Sequence, residues 1–388
     1  MAFATIGTKG IEDAAIATAD IADNAVTSAK TSGIPARPNA QPLVINSDMA
    51  VAQRNSGTVA QSDGSNEGYA TVDRMNLVFG NSAGGVITTS RNTTAPTGFG
   101  QSMKFDVTTA DGSVASNQMV YMKTTLEAQD IRNSGWNYTS SSSYLTLSFW
   151  VRSSKTGIYC AFLETLDASY MRSSEYTISS ADTWEQKVLT FPGKTELVFN
   201  DDNGAGLNIG FTFVVGTDRD GTNNTWETTN YGTSNQVNFL DSTSNILYLT
   251  GIQLEVGEYT SSTLPPFQHE SYGDNLRRCQ RYYFKYLDGN SKTVGIGSWW
   301  NDANIDTVIN FPVSMRTDPS LSATNGSNYY YICVAGNCRN ISNAWSSNRT
   351  NPTSSQIAVA PDATDTAGRA GLVASTSASA FIAWDSEL

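Results

Sequence analysis

Histidine is nearly absent from this sequence, since the 388 residues contain a single one, His269. Imidazole is the side chain that most readily exchanges a proton near neutral pH, so histidine-dependent catalytic triads and multi-histidine metal sites are excluded. Charged residues are also scarce at 15% of the chain, against about 25% in ordinary soluble domains. Serine and threonine together outnumber them. The surface is therefore built largely from hydroxyl and amide groups.

The charges that remain are mainly acidic, with 36 Asp and Glu against 24 Lys and Arg and a net charge of −12. Phosphate backbones and anionic lipids repel such a chain, so nucleic acid is not expected as a partner. No apolar run approaches the roughly 20 residues that span a bilayer, and the first residues lack the basic start of a signal peptide. We expect synthesis in the cytosol and no insertion into a membrane.

Cysteine is rare as well: four residues are too few for a disulfide framework in a chain of this length. Cys333 and Cys338 could close a small loop or bind a metal, but no matching Cys or His pair accompanies them. Buried thiols in strands are the preferred interpretation for all four, which include Cys160 and Cys279. No cofactor is expected.

The first forty residues have a repeating pattern of their own. Apolar β-branched residues recur every five positions, at Ile11, Ile16, Ile21 and Val26. A period of five matches neither the helical period of 3.6 nor the strand period of 2, so one chain cannot bury this stripe on a single face. The repeat indicates several identical chains packed round an axis. The alternative is a partly disordered, alanine-rich leader.

The rest of the chain is patterned as short strands between turns rich in Gly, Ser, Asn and Thr. Residues 145–152, for example, alternate apolar and polar side chains, as in a strand with one face on a core. The other strand candidates are residues 158–163, 186–191, 207–215, 246–256, 293–300, 305–311, 329–334 and 380–384. Long amphipathic helical patterns and βαβ alternation are missing, which indicates antiparallel sandwiches or jelly rolls.

The predicted fold class is therefore all-β, in three parts. Prolines near residue 40 and the proline pair at 265–266 mark the boundaries. The boundaries give a short N-terminal segment at residues 1–40, a jelly-roll β-sandwich at residues 41–270 and a C-terminal β-sandwich domain at residues 271–388.

Several stretches resemble a module found in tail fibres and receptor-binding proteins of bacteriophages. The most specific part is Leu-Thr-Gly-Ile-Gln-Leu-Glu-Val-Gly at 249–257, followed by the motifs at 266–273 and 279–283. Shorter stretches that agree lie at 45–54, 68–74, 311–319 and 381–388, and the repeat at 11–30 is similar to those that join such fibres to the virion. The resemblance implies a homotrimeric fibre: a proximal attachment segment, a central domain like a carbohydrate-binding module, and a distal domain that meets the host.

Candidate receptor contacts lie in the distal block. Sugars present flat CH faces and many hydroxyls, so their sites combine an exposed aromatic ring with amide, carboxylate or guanidinium groups. The residues that offer this combination are Trp299, Trp300, Asn301, Asp302, Tyr330, Trp345 and Arg349. Packing in the core or at a trimer interface is the alternative for each aromatic residue. Trp150 and Trp184 are assigned to the core.

Two further features receive weaker functional interpretations. Asp218 and Asp220 lie in an oxygen-rich, glycine-containing segment that could bind calcium, but no EF-hand spacing is complete and a solvated turn is the preferred interpretation. His269, beside Glu270 and Tyr272 in the proline-rich joint, is expected to make a structural hydrogen bond rather than to act in catalysis.

Together, the residues and the resemblance predict a virion structural protein and not an enzyme. It would be a homotrimeric tail fibre, made in the host cytoplasm, that binds a bacterial surface glycan or protein and is held by a tail or adaptor protein through residues 1–40. One alternative is a polysaccharide depolymerase using two carboxylates, although no solenoid repeat or hydrolase motif is visible. The other is a purely architectural head fibre or connector.

Overall fold

The computed structural model describes residues 41–81 and 83–388, so the predicted attachment segment at 1–40 lies outside the described residues. The strands are β1 Thr58–Gln61, β2 Gly68–Tyr69, β3 Asn76–Gly80, β4 Val86–Asn92, β5 Ser102–Thr109, β6 Met119–Glu127, β7 Tyr144–Ser153, β8 Gly157–Thr165, β9 Tyr170–Ile178, β10 Glu185–Pro192, β11 Ala205–Val215, β12 Ile246–Val256, β13 Tyr283–Asp288, β14 Thr293–Trp299, β15 Ile305–Asn310, β16 Ser320–Ala323, β17 Tyr330–Val334, β18 Asn337–Ile341, β19 Ser346–Asn351, β20 Ser354–Val359, β21 Ala370–Ser375 and β22 Phe381–Asp385. The helices are α1 Ala128–Arg132, α2 Tyr272–Gln280 and the 3-10 turn Phe239–Asp241. The all-β prediction is confirmed.

The first unit is a jelly-roll β-sandwich made of two six-stranded antiparallel sheets. Their strand orders are β1-β4-β5-β12-β7-β10 and β2-β3-β6-β11-β8-β9. Strand β7 shows why they pack: Leu145, Leu147, Phe149 and Val151 occupy every second position and lie fully buried between the sheets. The period-two pattern at 145–152 therefore identifies the side of β7 that faces the core.

The second unit is a smaller sandwich. A three-stranded sheet, β13-β22-β16, packs against a seven-stranded sheet, β18-β17-β21-β14-β15-β20-β19. Its separate core is centred on large buried aromatic residues, including Trp299, Tyr330, Trp345 and Trp384. One face of the seven-stranded sheet covers this core, and the other faces outward.

A small third cluster joins the two sandwiches. Ile45 and Val51 at the start of the first unit pack on Cys279 and Tyr282 at the end of α2. Ser271 caps α2 by accepting a hydrogen bond from the Asp274 backbone N–H. The predicted boundary between residues 270 and 271 stays a prediction; the helix that follows it lies in the joint between the cores.

Charged side chains complete the joint. Arg54 pairs with Asp385 at 2.8 Å and with Glu387 at 3.2 Å, and Arg74 also pairs with Glu387. Arg74 lies 3.5 Å from the ring centroid of Tyr282. Because Asp385 and Glu387 belong to the last residues of the chain, the carboxyl terminus returns to the first sandwich and ties the two units together.

Glu127, at the end of β6, makes a second connection. It accepts hydrogen bonds from Arg281 at 2.7 and 2.8 Å and from the Tyr282 hydroxyl at 2.6 Å. Burial opposes ionisation of this carboxyl, but the hydrogen bonds from Arg281 and Tyr282 outweigh burial, and the pKa of Glu127 lies below its ordinary value. Glu127 is therefore ionised in the folded joint at neutral pH.

Asp73 makes the stability of the joint depend on pH. Its carboxylate accepts hydrogen bonds from the backbone and side chain of Gln53, but burial dominates and raises the pKa of Asp73 from 3.8 to about 6. The folded state therefore binds the proton more tightly than the unfolded chain. This contribution to stability is fully present below pH 3.8 and is lost as the pH rises through about 6.

We expect Asp73→Asn to remove that contribution, which amounts to about 3 kcal/mol at most. The free energy of unfolding, measured by urea denaturation at several pH values between 4 and 6, should vary less in the variant than in the native chain. Asp182→Asn, at a carboxyl that is mainly exposed, is the control. An unchanged pH profile in Asp73→Asn would show that another group titrates in this range.

Candidate functional site

The end of β14 places two neighbouring tryptophans on opposite sides of the seven-stranded sheet. Trp299 is 2% exposed and belongs to the core of the second sandwich, whereas Trp300 is 69% exposed. The Trp300 backbone N–H donates to the Asn304 carbonyl at 2.9 Å, which closes the turn after the strand. Trp300 thus presents its indole to solvent from an ordered turn.

Trp300 forms one wall of a shallow depression of about 710 Å³ on the outer face of this sheet. The other lining residues come from the turn after β14 and from β15, β19 and β20; they are Asn304, Asp306, Ser346, Ser347, Asn348, Arg349, Gln356 and Ala358. Apart from Trp300 and Ala358, each of them carries a hydroxyl, amide or charged group. An exposed ring beside such groups suits a hydroxyl-rich ligand.

Three polar side chains in the depression form a chain of hydrogen bonds. Gln356 Nε2 donates to Asp306 Oδ2 at 2.9 Å, and Arg349 Nη1 donates to Gln356 Oε1 at 2.5 Å. The Gln356 amide therefore sits between a carboxylate and a guanidinium group and is held in one orientation. Arg349 has a φ of +45° in the irregular part of β19, and it retains further N–H donors for a ligand.

The predicted contacts Asn301 and Asp302 support the turn and do not line the depression. Asn301 Oδ1 accepts from the backbone N–H groups of Ala303 and Asn304, both at 2.8 Å. Asp302 Oδ1 accepts from the backbone N–H of Ala367 at 3.2 Å. Both side chains are exposed, and their hydrogen bonds fix the turn that positions Trp300.

The other three predicted contacts lie in the core. Trp299, Tyr330 and Trp345 are buried, and the rings of Tyr330 and Trp345 meet edge to face at 5.6 Å. The Tyr330 hydroxyl donates to the Phe381 carbonyl at 2.7 Å. These three residues are therefore corrected from surface contacts to packing residues, because the three-stranded sheet covers the side of the large sheet that they face. Of the predicted receptor contacts, Trp300 and Arg349 are the two that line the depression.

The first sandwich carries an outward-facing aromatic surface, so the predicted core positions of its two tryptophans are wrong. Trp150 and Trp184 are half-buried and lie outside the core. Trp150 alternates with the core residues of β7, so it faces outward with Arg152. Trp184 lies 6.2 Å from the Tyr248 ring, and Arg152 lies 5.4 Å from the same ring. The alternation within 145–152 is the sequence signal that could have identified Trp150 as a residue facing away from the core.

The opposite face of the first sandwich is covered by protein. Tyr231, in the segment between β11 and β12, packs against Tyr121 at 5.2 Å and Phe162 at 5.3 Å. This side of the β6-β11-β8 sheet is therefore closed to a ligand over these residues.

The predicted calcium candidates lie in the same covering segment. The Asp218 carboxylate accepts from the Ser116 hydroxyl at 2.6 Å. Burial, followed by the nearby charges of Asp218 and Glu227, raises the pKa of Asp220. Within residues 41–81 and 83–388, no group of three or more His, Cys, Asp or Glu side chains is arranged to hold a metal ion. The calcium hypothesis thus gains no support from these residues.

The remaining predicted features are structural. His269 is exposed, and its ring packs against the rings of Phe99 at 5.1 Å and Phe267 at 4.8 Å. These ring contacts stand in place of the structural hydrogen bond that was expected of His269. Cys160 and Cys279 are buried thiols, as expected. Cys333 and Cys338 instead form a disulfide, because the hairpin of β17 and β18 places them directly opposite each other.

Comparisons with known proteins find solved structures that resemble this chain in fold, at low sequence identity and low TM-score. No family model and no curated protein matches the chain. Among solved structures, the enzymatically active domain of tailspike protein 4 from bacteriophage CBA120 is 12% identical, with a TM-score of 0.25 over 47% of this chain and 19% of that one. The family 11 carbohydrate-binding module of a Clostridium thermocellum cellulosomal cellulase is 11% identical, with a TM-score of 0.27 over 52% and 98% of the two chains.

A third likeness is the N-terminal cellulose-binding domain of Cellulomonas fimi β-1,4-glucanase C, which is 12% identical with a TM-score of 0.23 over 53% and 91% of the chains. At these values the likenesses carry no conclusion about function. Within the described part of the chain, no helix is long and apolar enough to cross a membrane.

Proposed function

We propose that this chain is a structural protein of a bacteriophage particle, a homotrimeric tail fibre that binds a glycan on the bacterial surface without changing it covalently. The observation that carries the proposal is the depression in which Trp300 stands beside the hydrogen-bonded side chains of Asp306, Gln356 and Arg349. The ring would stack on a sugar face, and the amide and guanidinium groups would bind its hydroxyls.

Binding rather than hydrolysis is favoured by the groups in the depression. Glycosidases of the common type need a pair of carboxyl groups on either side of the scissile bond. Among the described residues that line the depression, Asp306 is the one carboxylate, and its side chain already accepts a hydrogen bond from Gln356. A shallow site of this kind binds weakly, so three copies on one fibre and several fibres per particle would supply the avidity.

The fibre assignment draws on the sequence. The five-residue repeat in residues 11–30 calls for several chains, and these residues would attach the fibre to a tail or adaptor protein. The net charge of −12 would limit unspecific capture on an anionic cell envelope and leave selectivity to short-range contacts. The protein would be made in the host cytoplasm and act at the host cell surface as part of the virion.

Binding to an array of bacterial surface polysaccharides tests the site. We expect Trp300→Ala and Arg349→Ala in the full chain each to weaken binding about tenfold or more, because a central aromatic or arginine contact dominates such interfaces. Tyr272→Ala, at a tyrosine that is 59% exposed on α2, is the matched control and should bind like the native chain.

The same polysaccharide array also distinguishes this site from one on the first sandwich, and a binding protein from a depolymerase or an architectural connector. If Trp150→Ala or Trp184→Ala loses binding while Trp300→Ala keeps it, the glycan site lies on the first sandwich instead. New reducing ends that accumulate from a bound polysaccharide would identify a depolymerase. An absence of binding to any polysaccharide, together with a second domain docked on another protein in intact virions, would identify an architectural connector.

A further inference from the structure

The outer face of the seven-stranded sheet carries apolar side chains that nothing in the described chain covers. Ile296 on β14 is 65% exposed, Val308 on β15 is 62% exposed, and Leu372 on β21 is 41% exposed. Six large hydrophobic residues are exposed in the described residues, and these three together with Trp300 account for four of them. A solvated sheet face normally presents polar residues at such positions.

Strand register places the three side chains in one row. Ile296 lies opposite Leu372, and Leu372 lies opposite Cys333 on the next strand. The β14–β15 ladder pairs Ser298 with Asp306 and Trp299 with Ile305. Continued two residues back along β14, this antiparallel register would set Ile296 level with Val308. From Cys333 to Val308 the row crosses four neighbouring strands, roughly 14 Å in total, since strands lie about 4.8 Å apart. We call Cys333, Leu372, Ile296 and Val308 the apolar row.

Apart from Asp306, one step along β15, the outward neighbours of the apolar row are uncharged. The outward neighbours one step along β14 and β21 are Ser298 and Ala370, and the Cys333–Cys338 disulfide closes one end. The nearest acid in the ladder, Asp306, turns toward Gln356 and the depression. A sugar is a poor occupant because the row offers no hydrogen-bonding side chain. An anionic membrane is a poor occupant because no Lys or Arg stands in the row.

A second copy of the chain is the occupant that these observations fit. Chains that each carry −12 charges repel one another, so copies associate most readily where the contact is neutral and apolar. The five-residue repeat favours several chains side by side as well. We propose that the apolar row is a contact surface between copies of this chain, an inference that rests on the multichain fibre proposed above.

The row and the depression divide the outer face between them. The row extends from β15 toward β21 and β17, whereas the depression extends from β15 toward β20 and β19. A copy seated on the row would border the depression, because Val308 lies directly opposite Gln356. Self-association and glycan binding therefore use neighbouring surfaces of one sheet, and their variants can be tested separately.

Thiol protection in the full chain tests the inference. The described free cysteines, Cys160 and Cys279, are buried, so Ile296→Cys introduces an accessible thiol. Its maleimide labelling should be roughly tenfold slower or more in the assembled protein than that of Val198→Cys, and dilution to monomers should abolish the difference. Val198 is 51% exposed on the first sandwich and serves as the matched control.

Oligomeric mass gives a second readout. We expect the Ile296→Lys/Leu372→Lys double variant to dissociate at higher protein concentrations than the native chain, and Val198→Lys to assemble normally, with circular dichroism confirming that each is folded. A native chain that is monomeric at high concentration overturns the inference. So does an assembled chain in which Ile296→Cys labels as fast as Val198→Cys. If the lysine variant loses polysaccharide binding but keeps the oligomeric mass of the native chain, the row contacts the receptor and the self-contact is wrong.

Discussion

Replacing Glu387 by alanine is expected to lower the free energy of unfolding by about 3–5 kcal/mol, as for other buried ion pairs that lose one partner. Glu387 is the shared partner of Arg54 and Arg74, and both guanidinium groups lie in the joint between the sandwiches. Without Glu387, Arg74 remains buried with the Thr125 carbonyl as an acceptor but with no paired charge. Urea denaturation followed by tryptophan fluorescence measures the loss.

The matched control is Arg277→Ala, which removes an exposed ion pair with Asp274 on α2. We expect no measurable change there, because exposed pairs contribute little. An Arg74→Met/Glu387→Leu double variant should recover much of the lost stability, since an apolar pair avoids the uncompensated charge. A stability of Glu387→Ala equal to that of the native chain would show that the carboxyl terminus does not hold the sandwiches together.

The second large effect is a difference in stability between alanine variants of two neighbouring tryptophans. We expect Trp299→Ala to cost about 3–5 kcal/mol, because it empties a large volume in the core of the second sandwich. Trp300→Ala should change stability by less than about 0.5 kcal/mol, since its indole is mainly in solvent. Thermal and urea unfolding of the two variants, side by side, provide the measurement.

Polysaccharide binding should show the opposite order when it is measured under conditions in which both variants are folded. Trp300→Ala is expected to lose binding, and the folded fraction of Trp299→Ala is expected to keep it. If both variants are equally unstable, the turn at 300–304 is part of the core structure. In that case a loss of binding in Trp300→Ala would no longer report on a ligand contact.

The joint explains what several of the recognisable sequence motifs do. Arg54, Asp73 and Arg74 in the early motifs meet Tyr282 after α2 and Glu387 at the carboxyl end. These residues are far apart in the sequence and form one buried network. Several of the motifs that carry the resemblance therefore mark how the two sandwiches are connected, whereas the candidate ligand contacts Trp300 and Arg349 lie outside this network.

Alternation in the sequence was sufficient to predict β-sandwiches and part of the first core, from the predicted strands 145–152, 158–163, 186–191, 207–215 and 246–256. The strand predicted at 145–152 is β7, and its apolar positions face the opposing sheet. This success has a simple cause: side chains on a strand alternate between two faces, so the period is local to the chain. The joint could not be predicted in this way, because its partners come from segments hundreds of residues apart.

Which aromatic residues face solvent was decided by the tertiary structure. The sequence shows that Trp299 and Trp300 point to opposite sides, and that Trp150 is out of phase with Phe149 and Val151. It does not show which side of a strand another layer covers. The three-stranded sheet buries Trp299, Tyr330 and Trp345, while no layer in the described chain covers Trp300. Periodicity assigns residues to two faces of a strand, but burial depends on what packs against each face, and that requires contacts between distant parts of the chain.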